Sequence, residues 1–194
     1  MKKHLIFLVS FFMLFSLQAQ DNEYTAVGEL ADGLIAVQKD GKWGFIDTNG
    51  DLVIDLRDDL VAHKEAPVFT DGRCLIHKME DGIAYYGYID TDGNTVIAPQ
   101  YLNTTPFTDG YAIALKVEEK EKGTNQYLNK KIIDRNFDEV LINTKGEELK
   151  YLTPHKGILL DAKRYKQPEI VSRMLAPGIV TFKTANGNWK VAKL

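Results

Sequence analysis

Along residues 39–54, KDGKWGFIDTNGDLVI, apolar and aromatic positions flank two turn signals, Asp40-Gly41 and Asn49-Gly50. Both dipeptides accept positive φ at little cost, so each predicts a tight turn between antiparallel strands. The expected strands are 34–39, 42–47 and 51–55, a three-stranded meander. Alternation with period two places Trp43 and Phe45 on one face of the middle strand, and Gly44 and Ile46 on the other. A glycine inside a strand marks a bulge or a close approach by another group. Gly44 is therefore expected to be a packing site for a neighbouring repeat. No segment of residues 20–194 shows a sustained apolar 3.6-residue period, which predicts a nearly all-β chain.

The meander recurs. LADGLIAV from Leu30 is echoed by FTDGRCLI from Phe69 and FTDGYAIA from Phe107. WGFIDTNGDLVI from Trp43 returns as YGYIDTDGNTVI from Tyr86. A worn third version begins at Gln126, with residues 132–137 matching 96–101. PGIVTFKTANGNWKVAKL from Pro177 reads as the opening hairpin again, with Asn186-Gly187 as its turn and Trp189 in the Trp43 position. A repeat period near 40 residues predicts stacked supersecondary units. The pattern resembles the bacterial WG-repeat family, also called KWG repeats, most closely at Gly41-Lys42-Trp43-Gly44-Phe45-Ile46-Asp47. The resemblance implies an architecture and no particular activity.

The units fall at about 30–61, 67–103 and 106–140, followed by a divergent stretch over 141–176 and a half repeat over 177–194. Residues 21–29 are expected to form a strand that caps the first unit. Residues 79–83 predict a longer hairpin loop, and 118–125 a charged, solvated loop. In the divergent stretch the expectations are a hairpin turning at Lys145-Gly146, a strand over 158–160 and a short helical turn within 165–175. Stacked meanders give an open, elongated array that buries Trp43-type residues between units. A small β-propeller is the alternative, but closure takes at least about four blades.

The first residues change the picture. Lys2 and Lys3 precede an apolar run over 5–17, and Ala19 offers a cleavage point before Gln20. This is the pattern of a cleaved signal peptide over 1–19, too short to span a bilayer, and it predicts a periplasmic or extracellular protein. No cysteine stands near the cleavage point to take a lipid, and no second apolar segment predicts membrane insertion. Loss of the two lysines moves the formal charge from −3 to −5. That mild acidity argues against nucleic acid as a partner. Cys74, the one cysteine, occupies the place of Ile35 and Ala112 and reads as a small buried hydrophobe.

Candidate chemistry is thin. Residues 20–194 hold one serine, Ser172, and no G-x-S-x-G, while His63, His77 and His155 lie far apart. Neither phosphate-loop pattern is present. Asp47-Thr48-Asn49-Gly50-Asp51 and Asp90-Thr91-Asp92-Gly93-Asn94 suggest calcium, but their glycine falls at position 4 where an EF-hand loop needs it at 6. Hairpin turns require the same residue types. No catalytic, cofactor-binding or metal-ligating residue is assigned. The signature positions Trp43, Gly44, Asp47, Gly50, Tyr86, Gly87, Asp90, Gly93 and Trp189 are read as structural. Tyr88, Tyr101 and Tyr111 are read as packing residues, with any exposed aromatics left as a ligand-stacking strip. The expected function is non-enzymatic binding of a protein or glycan. The alternatives are a carbohydrate-active hydrolase with convergent carboxylates and a structural envelope component.

Overall fold

The computed structural model of the protein describes residues 23–155 and 157–194; the leader expected over 1–19 lies outside them. Among the described residues there are thirteen strands and no helix, arranged as four antiparallel sheets. The first contains β1 (Ala26–Ala31), β2 (Leu34–Lys39), β3 (Lys42–Ile46) and β4 (Leu52–Arg57). The second contains β5 (Cys74–Glu80), β6 (Ile83–Ile89) and β7 (Thr95–Tyr101). The third contains β8 (Tyr111–Asn125), β9 (Lys130–Asn143) and β10 (Glu148–His155). The fourth contains β11 (Arg173–Ala176), β12 (Ile179–Lys183) and β13 (Trp189–Lys193). No sheet closes into a barrel, and the array is open.

Two kinds of turn recur. Asp40 and Gly41 have φ of 50° and 76°, the pair of left-handed residues that a two-residue hairpin demands. The other kind spans five residues, and the tight two-residue turn expected at Asn49-Gly50 is of this kind, running from Asp47 to Asp51 with positive φ at Gly50 and not at Asn49. Asp47 Oδ1 accepts the amides of Asn49 and Asp51, each at 2.9 Å. Asp90 accepts those of Asp92 and Asn94, and Asn143 those of Lys145 and Glu147. Residues 143–147 are therefore a third copy of this turn.

Insertions lengthen hairpins rather than loops. The longer loop expected at 79–83 is instead a two-residue turn, Asp81-Gly82, closed by the Glu80–Ile83 pair. In the third sheet the ladder runs outward to Asn125–Lys130, so residues 118–125 are strand and not loop. Residues 132–137 consequently lie in the middle strand, not in the counterpart of 96–101.

Gly44 does mark a close approach, but its own sheet makes it. Trp43 pairs with Arg57 and Phe45 with Ile54, leaving Asp55 and Leu56 bulged opposite Gly44. A Cβ on Gly44 would lie 2.6 Å from the Ile54 carbonyl oxygen. Gly87 is confined in the same way by residues 97–99 of β7. The neighbouring repeat is not involved.

The sheets stack through alternate faces. The face of the first sheet carrying Leu34, Ala36, Phe45 and Ile54 packs on Cys74, Ile76 and Ile89 of the second. The opposite face of the second, with Leu75, Tyr88 and Ile97, packs on Ala112, Ala114 and Ile142 of the third. Each sheet thus has a leading face (Ile35, Val37 and Ile46 in the first) and a trailing face (Ala36 and Phe45). The Phe-x-Asp-Gly segments join them. Phe69 meets Phe45 edge-on with ring centroids 4.7 Å apart, and Phe107 meets Tyr88 at the same separation. Asp32 Oδ2 accepts the Gly72 amide, and Asp71 Oδ2 the Gly110 amide, each at 2.7 Å. One motif therefore links successive sheets twice.

The fourth sheet departs from the register expected of it. Its turn at 184–188 is the five-residue kind, since the Gly187 amide donates to the Thr184 carbonyl as Gly50 does to Asp47. Phe182 therefore stands where Phe45 does, and Trp189 falls beyond the turn, in the third strand. Trp189 is not in the Trp43 position. Phe182 and Val180 pack on Ile113, Leu141 and Leu152, the trailing face of the third sheet. The last sheet is turned over, trailing face to trailing face.

Residues 157–172 run without strand or helix across the sheet ends, apart from a turn at 161–165. The strand expected over 158–160 and the helical turn expected within 165–175 are both absent; β11 occupies the end of the latter stretch. Ile158, Leu160 and Tyr165 instead pack on Ile83, Leu102, Leu115 and Phe137. Glu139 pins the end of this strap. Its carboxylate accepts the Val171 and Ser172 amides at 2.9 and 2.8 Å and lies 2.9 Å from His155 Nε2. Counted back from its turn, Glu139 holds the Trp43 and Tyr86 position of the third repeat.

Candidate functional site

The signature residues prove to be of three kinds. Asp47 and Asp90 spend their carboxylates on their own turn amides, with Gly50 and Gly93 at φ of 88° and 83°. The hydrogen bond from the Asp51 amide, ahead of other contributions, holds the Asp47 carboxyl below the usual carboxylate range. Gly44 and Gly87 admit the bulges. Trp43 and Tyr86 are half-buried at matching positions, opposite Gln38 and His77. Tyr88 and Tyr101 are fully interior, and Tyr88 donates to the Thr105 carbonyl oxygen at 2.7 Å. All of these act within or between sheets.

Trp189 differs: it is 52% exposed. It pairs with Lys183 across β12 and β13, on the face turned away from the stack. Lys183 Nζ lies 5.4 Å from its ring centroid and the Arg173 guanidinium carbon 5.9 Å, within cation–π range. Thr181 sits buried between Arg173 and Val191 in the same row, and Lys193 pairs with Ile179 one row away. Residues 170–194 carry four basic side chains and no acidic one, within a chain of net charge −3. This face is an indole platform bordered by cations, held rigid because Val180 and Phe182 on its reverse are buried. Chemically it suits a flat or apolar ligand surface bearing negative charge. Sequence reasoning named Trp189 but placed it in the interior; the neighbouring Phe182, aligned with Phe45, was the signal that could have corrected it.

Other reactive groups are engaged elsewhere. Burial pushes the Cys74 thiol up to about 12, so it stays protonated. Ser172 Oγ lies 3.4 Å from Thr153 Oγ1, and its amide serves Glu139. Among the described residues, no group of three or more His, Cys, Asp or Glu converges as a metal site.

The family model described as "WG containing repeat" matches residues 23–43, 43–57 and 86–117. No match to a curated protein or to a solved structure was found. The matched stretches hold the whole first sheet and the passage from β6 into β8, where the bulge glycine, the five-residue turn and the Phe-x-Asp-Gly link all occur. Over those stretches the chain is similar to the WG-containing repeat, in motif and in geometry alike.

Proposed function

We propose that the protein is an exported, non-enzymatic binding module whose fourth sheet presents Trp189 to an acidic protein or glycan. The observation that carries this reading is the half-exposed indole lying between Arg173 and Lys183 on a face the stack leaves open. An aromatic ring exposed beside cations is costly to leave in water and favourable to cover with a carboxylate-bearing surface. The basic and apolar leader supports delivery to the envelope or beyond, where acidic glycans and acidic protein segments are present.

The test is a fluorescence titration of the leader-free chain with polygalacturonate, poly-glutamate and neutral dextran. The proposal expects at least one acidic polymer to quench Trp189 emission, dextran to leave it unchanged, and salt to weaken the effect. Trp189→Ala should lose binding while retaining the fold. Equal binding of dextran, or binding that survives Trp189→Ala, would refute the reading, as would silence toward both acidic polymers.

A further inference from the structure

The fourth sheet ends on an edge that no other part of the described chain covers. Its last strand, β13, pairs with β12 alone. Their ladder runs from Lys183–Trp189 to Ile179–Lys193 without a register shift. At its two ends the Thr184 amide donates to the Asn188 carbonyl and the Leu194 amide to the Gly178 carbonyl, each at 2.9 Å. Bonded pairs alternate with unbonded ones in an antiparallel ladder, so Lys190 and Ala192 bond inward to β12. Trp189, Val191 and Lys193 therefore turn their amides and carbonyls outward. Among the described residues, no backbone group bonds to them.

The other edges are covered or broken. Residues 59–61 bond to β5 at 75–77, and residues 102–105 bond to the inner half of β8. Each of β1, β4, β7, β10 and β11 carries a bulge, and β7 and β10 also hold Pro99 and Pro154. The far end of β5 and the outer half of the β8–β9 ribbon bear both charge signs, and the ribbon is bulged at Lys122 as well. Such devices keep edge strands from pairing with other chains. On β13 there is neither bulge, proline nor cover, and its charges are of one sign. Lys190 and Lys193 flank the strand on its two faces, and Lys183 and Arg173 stand in the strands behind it. Residues 170–194 contain no carboxylate side chain.

We infer that β13 takes an added strand, supplied by an extended acidic polypeptide segment of a partner. This deepens the reading proposed above and rests on its claim that the fourth sheet takes an acidic ligand. The outward amides and carbonyls of Trp189, Val191 and Lys193 supply main-chain hydrogen bonds, and side chains at alternate positions supply selection. On the outer face the added strand lies beside Trp189, Val191 and Lys193; on the other it lies beside Lys190. Carboxylates next to the two lysines gain opposite charges across the strands, and an apolar residue between them covers Val191, which is 60% exposed. A second copy's β13 does not fit, because two such edges would set lysines against lysines. A glycan has no peptide ladder to offer.

The probe is a short peptide of alternating glutamate and valine, titrated into the leader-free chain beside its fully N-methylated counterpart, which keeps the side chains and loses the donors. The plain peptide should bind, and the N-methylated one should bind about tenfold more weakly, as the loss of a hydrogen bond or two requires. On binding, hydrogen exchange at the Trp189, Val191 and Lys193 amides should slow, while Lys190 and Ala192 are slow already. Val191→Pro removes an outward donor and no ladder bond, so it should keep the circular dichroism spectrum and lose the peptide by a similar factor. Its response to polygalacturonate should match the parent's; the peptide pair tests the same point without altering the protein. Equal binding of the two peptides, abolished by Trp189→Ala, would overturn strand addition while leaving the acidic-ligand reading standing. Silence toward the plain peptide, in a chain whose Trp189 emission polygalacturonate quenches, would do the same. Silence toward peptide and acidic polymers alike would overturn both.

Discussion

A single added carbon distinguishes the glycines of this chain. At Gly44 it would press on the Ile54 carbonyl, and at Gly87 it would meet the β7 backbone more closely still. Backbone on both sides cannot yield as a flexible side chain would, so Gly44→Ala and Gly87→Ala should each destabilise by about 1–3 kcal/mol. Urea denaturation checks this, with Gly87→Ala expected to be the worse. Sequence flagged Gly44 correctly as a close approach. It could not name the approaching atoms, because whether β4 bulges depends on a strand register that alternation alone leaves open. Asp47 provides a pH test. Its folded pKa is depressed, chiefly by the Asp51 amide, so its stabilisation is present above the normal carboxylate pKa and lost as pH falls through the depressed value. Asp47→Ala should therefore lower the melting temperature at pH 6 and have progressively less effect as pH drops below about 4.

Between elements, the linking aspartates make separable contributions. Asp32→Ala and Asp71→Ala each delete one hydrogen bond between successive sheets and should cost about 0.5–1.5 kcal/mol. Asp109 has the same turn geometry, yet the sheet that follows it is reversed and offers no matching glycine. Asp109→Ala should accordingly be nearly neutral in the same thermal melts. Glu139 is different in kind, a fully buried carboxylate that holds the strap. Its replacement by alanine leaves two amides and an imidazole without their acceptor, at a cost of about 3 kcal/mol. Hydrogen exchange at Val171 and Ser172 should accelerate in step. None of this was legible beforehand. The residue that aligns with Trp43 and Tyr86 is a glutamate, and the lengthened β8–β9 hairpin displaced the copies by which it would have been recognised.

At the scale of the molecule, the open all-β stack follows from what the chain repeats: a two-residue turn, a bulge glycine, a five-residue turn and a Phe-x-Asp-Gly link. Their residues were readable because each depends on a few neighbours, but the five-residue span of the Asn49-Gly50 turn and the linking role of Phe-x-Asp-Gly were not. The orientation of the last sheet was not, since it depends on which of two apolar faces finds the third sheet. PGIVTFKTANGNW preserves the local turn chemistry in either orientation. Reversal is what turns Trp189 outward, and the proposed binding surface depends on it. Iodide quenching of two single-tryptophan variants, Trp43→Phe and Trp189→Phe, measures that placement directly. With Trp189 alone, iodide drawn by Arg173 and Lys183 should quench strongly, and added chloride should reduce the effect; with Trp43 alone, quenching should be weak. Equal quenching of the two, or stronger quenching of Trp43, would contradict the reversed fourth sheet.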